Sequence, residues 1–270
     1  AYGENLITTS VNYDKRSAIN DSLLNNYNIL SDSRIKKINF NFIENSKTTD
    51  QNWKKNFSKK KIEFIETLLP LISFQNQQII IERNRLYRIR DYLQNQKTLS
   101  EYDMVYLKNL ADRYSINFNN IHKIDLVAHL LESINIIPSS IVLAQAINES
   151  GWGTSRFAKE YNALFGEYTY DFSKGVIPLN REEGKTHLVK AFSSPDKSVE
   201  SYFKNINTHY AYERFRNIRS QMNNSFNIKL LTKTLDVYAE DKSYVNTINS
   251  IIDSNNLMQF DSINHIFTSS

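Results

Sequence analysis

Glu149 is the residue whose surroundings point most directly to chemistry. It ends the run Ser140-Ile-Val-Leu-Ala-Gln-Ala-Ile-Asn-Glu149, which is apolar on nearly every side apart from Gln145, and Ser150-Gly-Trp-Gly153 follows. Pro138 and Ser139 ahead of the run mark a helix start, and Gly151 and Gly153 mark its end. The helix has no polar face, so it is expected in the core. A carboxyl at the C-terminal end of a buried helix is driven toward its neutral form by two effects. Desolvation disfavours the charge, and so does the partial negative charge of the helix end. An acid still protonated near neutral pH can protonate the leaving oxygen of a glycosidic bond. The Gly-Trp-Gly turn would set an aromatic wall beside it. The competing reading is a helix-end glutamate bonded to a lysine or arginine, and spacing alone does not separate the two.

Several other chemistries are excluded. The chain has no cysteine, which removes disulfides, thiol catalysis and Cys-ligated zinc. His122, His129, His187, His209 and His265 do not fall at metal-ligand spacings, and no His-Glu-x-x-His occurs. Neither a Gly-x-Ser-x-Gly elbow nor a phosphate-binding glycine loop is present. The net charge of +4 and pI of about 9.0 suit an anionic partner such as cell-wall polymer, anionic lipid or nucleic acid. An ordinary basic surface fits them equally well. No apolar run reaches about 18 residues, so no transmembrane helix is expected. The sequence opens Ala1-Tyr2 without an initiator Met, consistent with a removed leader or a trimmed chain.

The elements that must hold Glu149 are mostly helical. Residues 1–50 are polar and rich in Asn and Ser and read as an extended arm, with Ile35 to Phe42 as a strand or docking segment. From Trp53 to Gln96 the period is helical, with Phe57, Phe64, Ile65, Leu68, Leu69 and Ile72 on one face. Pro70 is expected to interrupt or kink it. Ile79, Leu86, Ile89 and Leu93 continue the pattern, and Arg83, Arg85, Arg88 and Arg90 read as a solvated face. Ser100-Glu-Tyr-Asp103 fits a capping box ahead of Met104, Leu107, Leu110, Ala111 and Tyr114. Another helix is expected from Lys123 to Ile134, with Leu126, Val127, Leu130 and Leu131 inward. Residues 167–192 are the one β-like stretch, a hairpin or three-stranded lobe. Helices are expected again from Pro195 through Ile206, from Ile228 to Tyr238, and from Tyr244 to Asp253.

Ala144-Gln-Ala-Ile-Asn-Glu-Ser-Gly-Trp-Gly-Thr-Ser-Arg-Phe-Ala158, followed by Asn162-Ala-Leu-Phe-Gly166, resembles the glucosaminidase domain of glycoside hydrolase family 73, and more closely its Bax-type bacterial branch. Lys185-Thr-His-Leu-Val-Lys-Ala-Phe-Ser-Ser194, Tyr238 to Val245 and the helical stretch around Phe64 to Leu86 resemble that branch too. The likeness spans roughly residues 55–260.

The resemblance implies a mainly α, lysozyme-like α+β fold, with a helical lobe and a small β hairpin or lobe across a cleft. An N-terminal helical segment precedes it. The domain plan is an arm at 1–50, a helical segment at 51–120 packed on the catalytic domain, a glucosaminidase domain at 121–260 and a tail at 261–270. The substrate would be a β-1,4-linked N-acetylglucosamine polymer, normally peptidoglycan, cleaved endo-fashion with Glu149 as acid. No metal, organic cofactor or nucleic acid partner is implied; the protein would be a monomer in the periplasm or secreted.

Family members often carry a second carboxylate on the β lobe. The matching positions are Glu182 and Glu183, of which Glu183 is favoured because it precedes Gly184 and the strand-like His187 to Phe192. Solvated hairpin charges are the equal alternative, and the substrate's own acetamido group could serve instead. Tyr244 lies in the family's tyrosine segment and would orient the acetamido group or a water. Asn162 and Phe165 would shape the cleft, Tyr168 and Tyr170 would line sugar subsites, and Trp152 would stack on sugar or sit in the core. Glu167 departs from the neutral residue expected there and reads as a surface charge or a competing carboxylate. Two other functions fit the same pattern: a non-catalytic glycan-binding scaffold, and an endoglycosidase on chitin oligomers or N-glycan chitobiose cores.

Overall fold

The computed structural model describes residues 51–177, 186–222 and 225–265. The chain divides into two units, 1–56 and 57–270. The described part of the first is the 3-10 turn Gln51–Asn56. The arm expected over residues 1–50 lies outside the described residues.

The second unit is mainly helical with one small sheet. Its helices are α1 (Lys59–Gln94), α2 (Glu101–Arg113), α3 (Lys123–Ser133), α4 (Ser139–Ser150), α5 (Arg156–Tyr161), α6 (Pro195–Thr208), α7 (Glu213–Ser220), α8 (Ile228–Thr232) and α9 (Tyr244–Ser254). Helix α4 is the packing centre. All its residues except Asn148 and Glu149 are buried, and it meets α1, α9 and the closing 3-10 segment Leu257–His265. Among the described residues, no helix is long and apolar enough to cross a membrane.

Helix α1 runs unbroken through Pro70, where an interruption or kink was expected. Proline removes one N–H from the ladder, but buried Ile65, Leu68, Leu69 and Ile72 on its flanks hold the helix to α3, α4 and α6. Asn76, fully buried, donates to Ile137 O (2.8 Å) and accepts from Ile137 N (3.0 Å), which pins α1 to the segment leading into α4.

The arginines of α1 are not a uniform solvated face. Arg85 pairs with Asp103 at 3.0 Å and lies over the Tyr106 ring, while Arg83 donates to the carbonyls of Leu131 and Ile134. Arg88 does stay exposed. The carbonyls at the end of α3 take a second arginine. Arg219, fully buried, donates to the carbonyls of Glu132, Ser133, Asn135 and Ile136 and to Asn207 Oδ1. Helix α3 therefore ends against two guanidinium groups, which satisfies its orphan carbonyls and opposes its negative pole.

Ser100 caps α2 as the sequence predicts: its Oγ accepts from Asp103 N at 3.2 Å and donates to Asp103 Oδ2 at 2.8 Å. Helix α4 has no such local cap. Asp261 supplies one from the other end of the unit, accepting from Ser140 N (2.8 Å) and Ser140 Oγ (2.7 Å). The stretch expected to be a tail thus begins with a cap for the acid-bearing helix. Asp261→Ala is expected to lower unfolding free energy by about 1–2 kcal/mol. A urea titration would read this as a lower midpoint at constant slope; an unchanged midpoint would deny the cap any weight.

The sheet is three-stranded and antiparallel, in the order β1 (Tyr168–Thr169), β3 (Leu188–Lys190), β2 (Gly175–Val176). Tyr168 faces Val189 and Thr169 faces Leu188 across one ladder; Gly175 faces Lys190 across the other. The last strand lies in the middle, with Leu188 and Val189 buried.

Candidate active site

Glu149 is the penultimate residue of α4, half-buried at the point where the core helix leaves the interior. Burial raises its carboxyl above the usual value of 4.5, against the lowering effect of hydrogen bonds from Asn148 and Tyr244. Asn148 Nδ2 reaches Glu149 Oε1 at 3.1 Å. No lysine or arginine is among the described groups that shift this carboxyl. The helix-end ion pair that competed with the acid reading is therefore absent among the described residues.

Gly166 closes one side of the carboxyl. A β-carbon there would lie 2.7 Å from Glu149 Oε2, and the residue sits at φ +63°. Leu-Phe-Gly is thus explained by contact: the backbone packs against the acid where no side chain fits. The turn after Glu149 is built by Gly151, Trp152 and Gly153, all left-handed, with φ of 57°, 60° and 70°. A left-handed tryptophan is strained, and its ring is held by three partners from the amino-terminal side. Phe57 and Phe64 meet it edge-on at 6.3 and 5.7 Å, and Lys61 lies over it at 4.5 Å. Gly153 lacks a side chain because a β-carbon would come within 2.9 Å of Phe64. The ring contacts of Trp152 thus anchor the turn to the amino-terminal helix.

Tyr244 is brought to Glu149. It is 3% exposed at the start of α9, its hydroxyl accepts from Gln145 Nε2 at 2.9 Å, and it lies close enough to the Glu149 carboxyl to lower it. The Tyr238 ring stacks on Tyr244 at 5.5 Å, and its hydroxyl donates to Phe165 O at 2.7 Å. That bond ties the Leu-Phe-Gly turn to the tyrosine segment. Tyr238 and Tyr212 both lie close enough to feel the Glu149 charge. Sequence reading gave no role to Gln145, Tyr202, Tyr212 or Tyr238. The one available signal was Gln145 itself, a lone amide in an otherwise apolar helix.

Phe165, expected to shape the cleft, is 1% exposed and stacks on Tyr202 at 4.2 Å. With its face covered it is core, and its contribution to the site is its carbonyl. Asn162 takes the left-handed position ending α5, and its Nδ2 donates to Phe192 O at 3.1 Å. Tyr168 and Tyr170 stand out from the sheet lobe at 64% and 75% exposure, with Tyr168 against His187. Glu182 and Glu183 lie outside the described residues.

Glu167 is not a surface charge. Its side chain is 9% exposed, accepting from Ser201 Oγ at 2.8 Å and pairing with Lys190 at 3.5 Å. Burial raises its carboxyl above the usual 4.5, and Lys190 offsets this in part. The folded protein therefore favours the protonated form more than the unfolded chain does. Stability from this group is full below the ordinary value and is lost as pH rises through the raised one. Glu167→Gln does not titrate, so its stability relative to the parent should improve as pH rises from the ordinary value through the raised one, then level off. Urea midpoints across that range would show it; a constant difference would mean the shift is absent.

Comparisons with known proteins place the chain among similar sequences. Residues 124–257 match the Glucosaminidase family model, described as mannosyl-glycoprotein endo-beta-N-acetylglucosaminidase. Protein bax of Escherichia coli (strain K12) is 39% identical over 164 residues, covering 60% of this chain and 56% of that protein. Exo-glucosaminidase LytG of Bacillus subtilis (strain 168) is 27% identical over 147 residues, half of each chain. The chain thus spans about half the length of the curated relatives it matches. The catalytic domain of the autolysin Auto from Listeria monocytogenes aligns over 67% of this chain and 97% of its own, at 22% identity and a TM-score of 0.36. Glu149, Gly166 and Tyr244 all fall inside residues 124–257, the segment that matches the Glucosaminidase family model and supports a likeness to the Bax-type branch of glycoside hydrolase family 73.

Proposed function

We propose that the protein is a glycoside hydrolase that cleaves β-1,4 bonds at N-acetylglucosamine in peptidoglycan, endo-fashion, with Glu149 as general acid. The observation that carries this reading is the Glu149 carboxyl itself: shielded by burial, free of any described cation, packed on Gly166 and held by the Tyr244 hydroxyl. Burial pushes the carboxyl toward its protonated form, the form that can give a glycosidic oxygen its proton. As the proton leaves, the Tyr244 bond strengthens toward the carboxylate that forms.

Glu167 is a poor candidate for the second group, since Lys190 and Ser201 already engage it. Two routes then remain. Glu183 could serve as base, which for inversion requires a separation of about 6.5–9.5 Å from Glu149. Alternatively the acetamido oxygen of the substrate attacks, and Tyr244 orients it. Tyr168 and Tyr170, exposed on the sheet lobe, suit sugar stacking. A glycan of this kind places the protein in the cell envelope, and a monomer suffices for every step.

The test is digestion of purified peptidoglycan, with the new ends reduced and identified by mass spectrometry. Endo cleavage gives multi-disaccharide fragments ending in N-acetylglucosamine. Ends of N-acetylmuramic acid would overturn the bond assignment. Release of terminal monosaccharide alone would favour exo action, as in the name of the Bacillus subtilis relative. A second reading, a glycan-binding scaffold, draws on one observation: no described carboxylate acts on Glu149. Retention on insoluble walls with no product would support it.

A further inference from the structure

We propose that Gln145 is a positioning residue whose buried amide, held by Tyr202, fixes the Tyr244 hydroxyl so that its proton faces Glu149. Gln145 and Glu149 are four residues apart on α4, so their side chains share one face on successive turns. Tyr244 couples to both: its oxygen accepts from Gln145 Nε2 at 2.9 Å, and its hydroxyl lies close enough to the Glu149 carboxyl for each to shift the other's ionisation. On the far side, Gln145 Oε1 accepts from the Tyr202 hydroxyl at 2.6 Å. Gln145 and Tyr202 are both fully buried, so water cannot replace these partners.

The direction of the chain follows from donor and acceptor inventory. An amide nitrogen only donates and an amide oxygen only accepts, while a phenol has one proton to give. Tyr202 spends its proton on Gln145 Oε1, which leaves the amide nitrogen facing Tyr244. Tyr244 accepts that N–H, so its own proton is left for the carboxylate. Each bond in the series points its donor toward Glu149. Were the amide reversed, Tyr244 would donate to Gln145 and the carboxylate would lose its partner. Tyr202 is held in turn by stacking on Phe165, whose carbonyl receives Tyr238. The other titratable groups that feel Glu149 are Tyr238 and Tyr212. Both are neutral at working pH, because burial raises their phenols. They leave the direction of this series unchanged.

The inference deepens the reading of Glu149 as acid and rests on it for its catalytic meaning, yet its test does not depend on turnover. The Glu149 carboxyl carbon would be followed by NMR through a pH titration in carboxyl-labelled full-length protein, its signal assigned by loss in Glu149→Gln. Gln145→Met keeps length and burial but removes both bonds. Its Glu149 midpoint is expected to rise by about one pH unit, the same direction as Tyr244→Phe. Tyr202→Phe, which takes away a single oxygen and secures the fold, should give a smaller rise. Adding Gln145→Met to Tyr244→Phe should move the midpoint no further. Unchanged midpoints in Gln145→Met and Tyr202→Phe, or additive shifts in the double variant, would overturn the proposal and leave Gln145 as packing. Peptidoglycan hydrolysis measured on the same samples tests the acid assignment separately.

Discussion

Glu149→Gln is expected to cut glycan hydrolysis by about 10³-fold while the fold survives intact. A general acid contributes about 10²–10⁴-fold by delivering its proton in the transition state, and glutamine has none to deliver. The substitution preserves shape, so the contact with Gly166 and the neighbourhood of Tyr244 are retained. Stability should hold or rise at neutral pH. The parent carboxyl is pushed above its usual value by burial, so its ionisation weakens the folded state as pH climbs through the raised value. The same direction governs turnover, which needs the protonated form and should fall as pH rises through that value. Reducing-sugar release and a thermal melt on one preparation read both effects. Full activity in the variant would remove Glu149 from the mechanism.

Gly166→Ala should be nearly as damaging to rate, for a different reason. The added carbon would sit 2.7 Å from Glu149 Oε2, so the carboxyl must move. A displacement of about 1 Å at a catalytic group can cost on the order of 10²-fold. The backbone also sits at φ +63°, where alanine costs about 1–2 kcal/mol. Gly151→Ala separates the two effects. It has a comparable φ of +57°, but its nearest neighbour would be Thr154 Oγ1 at 3.3 Å. It should therefore lose similar stability and keep most of its turnover. Equal rate losses in both variants would mean that strain, not contact with the acid, explains the glycine.

The framework around Glu149 was largely legible because it is made of long apolar runs. Helix α4 announces itself by a proline start, a glycine end and no polar face. Leu126, Val127, Leu130 and Leu131 on α3 were readable from spacing and are all buried. Helix α7 was missed because its buried residues are Phe215, Arg216 and Arg219. Two arginines facing inward erase the apolar period; Arg216 bonds the nearby carbonyls of Ile206 and His209, while the carbonyls that bury Arg219 belong to residues 132–136, far away in sequence and invisible locally. Arg83 and Arg85 were misread for the same cause. Within the site, the acid could be argued from its own neighbours, while Tyr244 needed the family resemblance. Gln145 escaped because its meaning is set by two phenols 57 and 99 residues away. Phe165 shows the converse error: an aromatic in a motif was assigned to the cleft, although Tyr202 covers its face.

The cap that Asp261 places on Ser140 has a consequence for biosynthesis. The two residues are 121 positions apart. At translation rates of about 5–20 residues per second, the acid-bearing helix emerges roughly 6–24 s before its cap exists. Leu257 and Phe260, which are almost fully buried with it, arrive equally late. A ribosome-bound nascent chain therefore carries Glu149 on a helix whose leading end is unfinished. Chains stalled before residue 257 should display this segment to chaperones and proteases. The family match ends at residue 257, so a fragment cut at that boundary would preserve the same immature condition permanently.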